Sequence, residues 1–262
     1  MAEGRAMSEK ISSDSFSVHL AELRTRLIRC FVFVGIAFAI SYYFSDLVYA
    51  ALTLPLDKAL KASGRATSEL QYTQLYEAFF TYIKVSLFSG FCLAFPFIAG
   101  QLWRFVSPGL YQKERRVFLP YIIISPILFV LGGLLVYFAI LPLAISFFLG
   151  FENSGEVAQW GIQVAFHGKV NEYLSLVMLL ILGFGLSFQL PVVLSLLCRV
   201  GIITGETLKK NRKYALALIL ILAAVATPPD IISQLVLGVP LYGLYELSIV
   251  LSRWYTPFSL QK

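Results

Sequence analysis

Six stretches of this chain are too apolar for its few polar residues to cover, and that imbalance dictates what surrounds it. They fall at 27–44, 79–102, 117–149, 173–198, 214–227 and 231–251. A helix that crosses a bilayer needs about 20 mainly apolar residues. Only 14% of the 262 residues are charged and 58% are hydrophobic, against roughly a quarter charged in a soluble domain. Lipid is therefore the expected solvent for most of the chain. The expected fold is all-α, a polytopic integral membrane protein with six transmembrane helices.

Individual spans carry their own punctuation. The third is longer than a bilayer requires, so it is expected to tilt or to project beyond the membrane. Pro120, Pro126, Pro142 and the pair Gly132-Gly133 mark its expected bends. Gln189 and Pro191 interrupt the fourth. The fifth is short, and Pro228-Pro229-Asp230 closes a tight hairpin to the sixth, because a proline ring and its missing N–H end a helix.

Lys and Arg are distributed unequally between the loops. Sixteen of the 21 fall on the side that holds both termini, four on the other (Lys58, Lys61, Arg65, Lys169), and Lys84 lies in the second span. Basic loops stay in the cytoplasm, so both ends are expected there. The net charge of +6 is spread over membrane-flanking loops and does not form a nucleic-acid surface. No cleavable-signal pattern opens the chain, so the N-terminus is expected to be retained and roughly the first 15 residues to be unstructured. The loop after the first span contains an amphipathic stretch at 47–60, expected as a surface helix; the loop at 150–170 is also long. No inverted internal repeat or low-complexity segment is apparent.

Catalytic chemistry finds no support. The two histidines, His19 and His167, fall on opposite sides of the membrane, and no metal, hydrolase or phosphate-loop motif is present. Cys30, Cys92 and Cys198 are scattered in or beside apolar runs and read as packing residues. No enzyme activity, cofactor or metal is expected.

Two acids stand out on the basic side. Glu22 lies in His19-Leu-Ala-Glu-Leu-Arg-Thr-Arg26, and Glu114 in Leu110-Tyr-Gln-Lys-Glu-Arg-Arg116. One reading is local pairing, Glu22 with Arg26 at i,i+4. The other is a carboxylate pair for a cationic ligand, which guanidinium groups would engage through parallel hydrogen bonds that an ammonium cannot reproduce. Polar residues within spans are costly and therefore informative. Gln189 reads either as an amide bonded across a helix interface or as part of a polar cavity. Thr227 and Gln234 read as contacts for another helix or as caps of their own helices. Lys84 is expected to snorkel outward, and Glu246 to pair with Arg253. A transporter or channel lined by Lys84, Gln189 and Glu246, a membrane-embedded enzyme and a structural scaffold are the competing function classes.

Four blocks carry a more specific signal. The run His-Leu-x-Glu-Leu-Arg-x-Arg-Leu at 19–27 resembles the N-terminal signature of the TatC family. Gln101-Leu-Trp-Arg-Phe-Val-Ser-Pro-Gly-Leu-Tyr-x-x-Glu-Arg-Arg116 resembles its first cytoplasmic loop. Gly185-Leu-Ser-Phe-Gln-Leu-Pro-Val192 resembles its fourth helix and Thr227-Pro-Pro-Asp-x-x-Ser-Gln234 its last outer hairpin. The blocks occur in family order from residue 19 to about 254.

The resemblance implies six spans in a concave, cupped arrangement with both termini inside, in the bacterial inner or another cytoplasmic-type membrane. It divides the chain into a flexible tail at 1–18, a membrane domain at 19–254 and a cytoplasmic tail at 255–262. It implies a receptor for twin-arginine signal peptides on folded cargo. Such a receptor self-associates in a multimeric complex and recruits single-span TatA- and TatB-type proteins, with the proton-motive force as driving energy. By position in the motifs, Glu22, Glu114, Arg24, Gln101 and Phe105 correspond to signal-peptide recognition, Thr227 and Gln234 to partner-helix docking, and Pro55 to a structural proline of the first outer loop. Many relatives carry Glu where this chain has Gln189. A neutral amide cannot relay a proton, so Gln189 is assigned to a polar cavity.

Overall fold

The computed structural model of the chain describes residues 2–62, 71–72, 74–106, 115–150, 168–226 and 231–254. Among them the structure is helical. The only extended pairing is a short bridge in which Gln71 N–H donates to Gly168 O at 3.0 Å and Val170 N–H to Gln71 O at 3.3 Å. The helices are α1 (Ala2–Tyr43), α2 (Ser45–Ala62), α3 (Glu77–Val106), α4 (Arg115–Leu135), α5 (Leu141–Leu149), α6 (Val170–Ser187), α7 (Leu190–Val200), α8 (Gly205–Lys210), α9 (Arg212–Ala226) and α10 (Ile231–Trp254). α1 reaches back to Ala2, across the segment in which an unstructured start was expected.

Four segments are each long and apolar enough to cross a membrane: Glu77–Phe105, Pro120–Leu149, Val170–Arg199 and Gln234–Ser252. The apolar part of α1 and the 15-residue α9 complete the six expected spans. By helical rise α9 covers only about 22 Å, short of the roughly 30 Å hydrocarbon core. The exposed side chains are those of a lipid-facing surface. Phe31, Val32 and Ile36 on α1 and Leu218, Ile221 and Leu222 on α9 are all more than half exposed. The amphipathic stretch at 47–60 forms α2, as expected, with Leu52, Pro55, Leu56 and Leu60 on its buried face.

The chain divides into two compact units, one of Met1–Ser45 and Ser86–Pro126, the other of Asp46–Val85 and Ile127–Lys262. In the first, α1 and α3 approach closely. A side chain at Gly90 would place its Cβ 2.8 Å from the backbone N and Cα of Phe38. Phe33 and Phe97 stack with ring centroids 4.1 Å apart, and Ala37, Ala94 and Ala99 are buried. Without a hydrophobic drive in lipid, small residues that let backbones meet are what hold such helices together.

The second unit repeats the device. A Cβ at Gly132 of α4 would fall 2.8 Å from Phe184 O of α6, and one at Gly185 would meet the Phe129 ring at 2.7 Å. The helix α4 runs unbroken through Pro120 and Pro126. The interruption comes later, as a π-helical turn at Val136–Ile140 in which Leu141 N–H donates to Val136 O, five residues back. Pro142, at the start of α5, has no N–H with which to resume the ladder to its carbonyl one turn earlier. α10 packs along α7 and α9. α7 ends at Gly201, whose φ of +82° is the left-handed conformation glycine adopts without strain. The Thr204 side chain then caps α8 by accepting from Thr207 N–H at 3.2 Å.

Candidate functional site

The acids and amides singled out in the sequence fall into two groups. In the first unit, Glu22 and Arg26 sit one turn apart on α1. Arg26 Nε donates to Glu22 Oε1 at 3.1 Å, and Arg26 Nη2 donates to the same oxygen. The local pair expected at i,i+4 is therefore present. Arg26 extends further: its Nη1 lies 3.4 Å from Oε1 of Gln101 on α3. Gln101 is only 6% exposed, so its amide is held where the two helices meet.

Both bonds from Arg26 end on Glu22 Oε1. Among the described residues nothing donates to Oε2, and the Glu22 side chain remains one-third exposed. Ala21, Glu22, Thr25, Arg26 and Arg29 form the wall of an open depression on this face of α1. Arg24 is exposed on the same helix end, and Phe105 is half-buried near the end of α3. The site thus presents a carboxylate beside Arg26 and Arg29, with one oxygen that no described residue engages. Glu114 lies outside the described residues, as does Thr227.

In the second unit, Gln189 occupies the break between α6 and α7. Its N–H donates to Leu186 O and its carbonyl accepts from Val193 N–H, both at 2.9 Å. Pro191 stands in the first turn of α7 and cannot donate to Ser187 O. The expected interruption of the fourth span therefore falls at Phe188-Gln189, and it leaves the Gln189 side chain half-buried. Gln234 Nε2 donates to Leu220 O of α9 at 2.9 Å, so one end of this amide is spent inside the chain. Pro55 is buried in α2. Lys84 reaches toward the start of α6 and donates to Asn171 Oδ1 at 2.8 Å, an outward snorkel with a defined acceptor.

Glu246 was expected to pair with Arg253, whose side chain lies outside those described; its Oε2 accepts from Arg212 Nη2 at 2.7 Å and its Oε1 from the Tyr242 hydroxyl at 2.9 Å. Arg212 opens α9, and α9 packs beside α10, which brings together two residues 34 positions apart. Sequence distance concealed this partner, as it concealed the bond between Arg26 and Gln101.

The family model described as Sec-independent protein translocase protein (TatC) matches residues 18–240. The chain belongs to the TatC family. A TatC of Rickettsia prowazekii is 42% identical over 94% of this chain and 96% of its own. The TatC of Escherichia coli strain K12 is 37% identical over 90% of this chain and 87% of its own. A crystal structure described as the twin-arginine translocase receptor TatC superposes with a TM-score of 0.77 at 37% identity, covering 90% of this chain and 98% of that one. TatC is a multi-pass membrane component of a protein translocase and not an enzyme, and the six-helix arrangement here is that of the TatC fold. The transporter, channel and enzyme readings are thereby set aside.

Proposed function

We propose that this TatC-family chain is the receptor subunit of the twin-arginine translocation system, with the Glu22 region of α1 and the end of α3 as its signal-peptide site. The observation that carries this reading is the half-engaged Glu22 carboxylate. Arg26 holds Oε1, while among the described residues nothing engages Oε2 of this one-third exposed side chain. A second guanidinium can dock there without displacing the first. Charge-assisted bonds of this kind are short and about twice as strong as neutral ones. Arg26 and Arg29 beside the carboxylate repel stray cations, so a ligand must recover that cost through geometry, and a planar guanidinium fork does so better than an ammonium.

Two adjacent arginines call for two acids. Glu114, in the motif of the first cytoplasmic loop, is the second. Arg24, Gln101 and Phe105 complete the surface: Gln101 by holding Arg26, Phe105 by offering a ring to the apolar residues beyond the arginines. Both termini face the cytoplasm, in the membrane across which folded cargo is exported. The half-buried Gln189 belongs to a polar cavity. Its amide cannot serve as a proton relay. Partners in this reading are TatA- and TatB-type single-span proteins, further copies of the chain in a multimeric receptor, and the twin-arginine precursor. The proton-motive force drives transport.

The test is site-specific crosslinking from positions 22, 105 and 114 to a precursor bearing Arg-Arg or Lys-Lys. Arg-Arg crosslinks are expected at all three positions and much weaker ones with Lys-Lys. Glu114→Ala should weaken crosslinking more than Glu114→Gln, and Glu22→Ala should weaken it further. Unchanged crosslinking to the Glu22→Ala, Glu114→Ala double variant would reject the acid-pair site.

A further inference from the structure

A second site lies within the other unit. Two gaps in helical hydrogen bonding face one another there: in α2, a continuous helix in which Pro55 supplies no N–H, and at the π-helical turn of Val136–Ile140. Between them is a cavity of about 280 Å³ lined by Leu54, Pro55 and Lys58 of α2, Tyr137 and Phe138 of the turn, and Pro142 of α5. The walls are apolar apart from Lys58, the Ser146 hydroxyl of α5 and the Tyr137 hydroxyl, which is spent on Ala51 O. Phe138 is 71% exposed, so the cavity opens outward. π-helical turns occur frequently at functional sites.

Lys58 is the informative residue. Its neighbour Lys61 is paired with Asp57 at 2.7 Å, but among the described residues no acid pairs with Lys58, which is exposed. A lone ammonium over an apolar cavity complements an anion attached to hydrocarbon. The cavity lies along the segment Pro120–Leu149, which is long and apolar enough to cross a membrane, so hydrocarbon can reach its walls.

We infer that this cavity is a phospholipid site: Lys58 binds the phosphodiester, and one acyl chain occupies the space between α2, the π-helical turn and α5. The lipid would fill the space between α2 and the π-helical turn and bind α2 to α5. The site makes no use of the peptide-binding residues, so it stands or falls independently of the receptor reading.

Full-length protein in detergent, delipidated and then titrated with dioleoyl phosphatidylglycerol or dioleoyl phosphatidylcholine, provides the test, with bound adducts counted by native mass spectrometry. Lys58→Ala should weaken binding of both lipids about fivefold, the loss expected for one lysine near the headgroups. Lys58→Arg should retain binding, and Lys61→Ala should leave it unchanged. Ala59 also lines the cavity, and Ala59→Phe should exclude the acyl chain. Circular dichroism and the thermal midpoint show whether each variant is folded. Equal binding by wild type and folded Lys58→Ala overturns the proposal, as does an equal loss in Lys61→Ala, which would mean only a general effect of surface charge.

Discussion

The Tyr137 hydroxyl donates to the main-chain carbonyl of Ala51 at 2.7 Å, and that carbonyl is the one Pro55 leaves without its helical donor. In an unbroken helix Ala51 O would accept from the N–H four residues on; Pro55 has none. Tyr173 does similar work one residue later, donating to Leu52 O at 3.0 Å. The buried proline of α2 and a tyrosine of the π-helical turn are therefore one arrangement and not two separate features. A carbonyl unsatisfied at a lipid boundary cannot fall back on water as it would at a soluble surface.

This arrangement predicts non-additive substitutions. Tyr137→Phe removes the donor and should cost about 1–2 kcal/mol. Pro55→Ala restores the helical N–H, so the carbonyl of Ala51 no longer needs the tyrosine. In a Pro55→Ala background, Tyr137→Phe should cost less by about 1 kcal/mol. Thermal or chemical unfolding of the four proteins in one detergent measures the coupling; additive effects would show that the hydroxyl and the proline act separately.

Glycine substitutions should sort by what a Cβ meets. At Gly90 and Gly132 the nearest obstruction, at 2.8 Å, is backbone of the neighbouring helix, which cannot rotate aside. Gly90→Ala and Gly132→Ala should each destabilise by about 1–3 kcal/mol. At Gly183 a Cβ meets nothing within 4 Å, and Gly183→Ala should be neutral or slightly stabilising, since alanine is the better helix former. Unfolding midpoints of the three variants decide it.

What could be read from the sequence follows from the range of the interactions involved. The spans and the amphipathic α2 are encoded locally by runs of apolar residues, and the break at Gln189 by a proline two positions away. The i,i+4 pair of Glu22 and Arg26 was legible for the same reason. The partners that bring different helices together were not. Gln101 for Arg26, Arg212 for Glu246 and Tyr137 for Ala51 are separated by 75, 34 and 86 residues, and no periodicity reports such contacts. The π-helical turn was hidden too: Pro142 announced a disturbance, but not that the ladder would shift by one residue ahead of it. Gln234 was noticed as an amide facing another helix, while its acceptor, a backbone carbonyl, leaves no mark in a sequence.

The ion pair of Arg212 and Glu246 holds the entry of the short α9 against α10. Both side chains are partly exposed, at 45% and 31%, so the pair should contribute no more than about 1 kcal/mol. Its geometry gives a clear charge-swap test. Arg212→Glu places two acids together and should lower the unfolding midpoint; Glu246→Arg should do the same. The double exchange restores opposite charges and should recover a large part of the loss, although the Tyr242 hydroxyl forfeits its carboxylate acceptor. No recovery in the double variant would mean that position and not charge matters.

Gln234 offers the sharpest separation between folding and assembly. Its Nε2 is used within the chain on Leu220 O, whereas among the described residues its Oε1 accepts nothing. Gln234→Leu removes both functions, while Gln234→Glu keeps a side-chain acceptor and loses the donor. If the open oxygen receives a polar group from a partner's single span, Gln234→Leu should reduce co-purification with that partner severalfold and Gln234→Glu should reduce it less. Both variants lose the bond to Leu220, so any effect of that bond on stability, about 1 kcal/mol, should be shared between them. Insertion of six spans, followed by cysteine accessibility, should be unchanged in each. Equal co-purification by wild type and Gln234→Leu would remove this amide from the docking surface and leave it as a tie between α9 and α10.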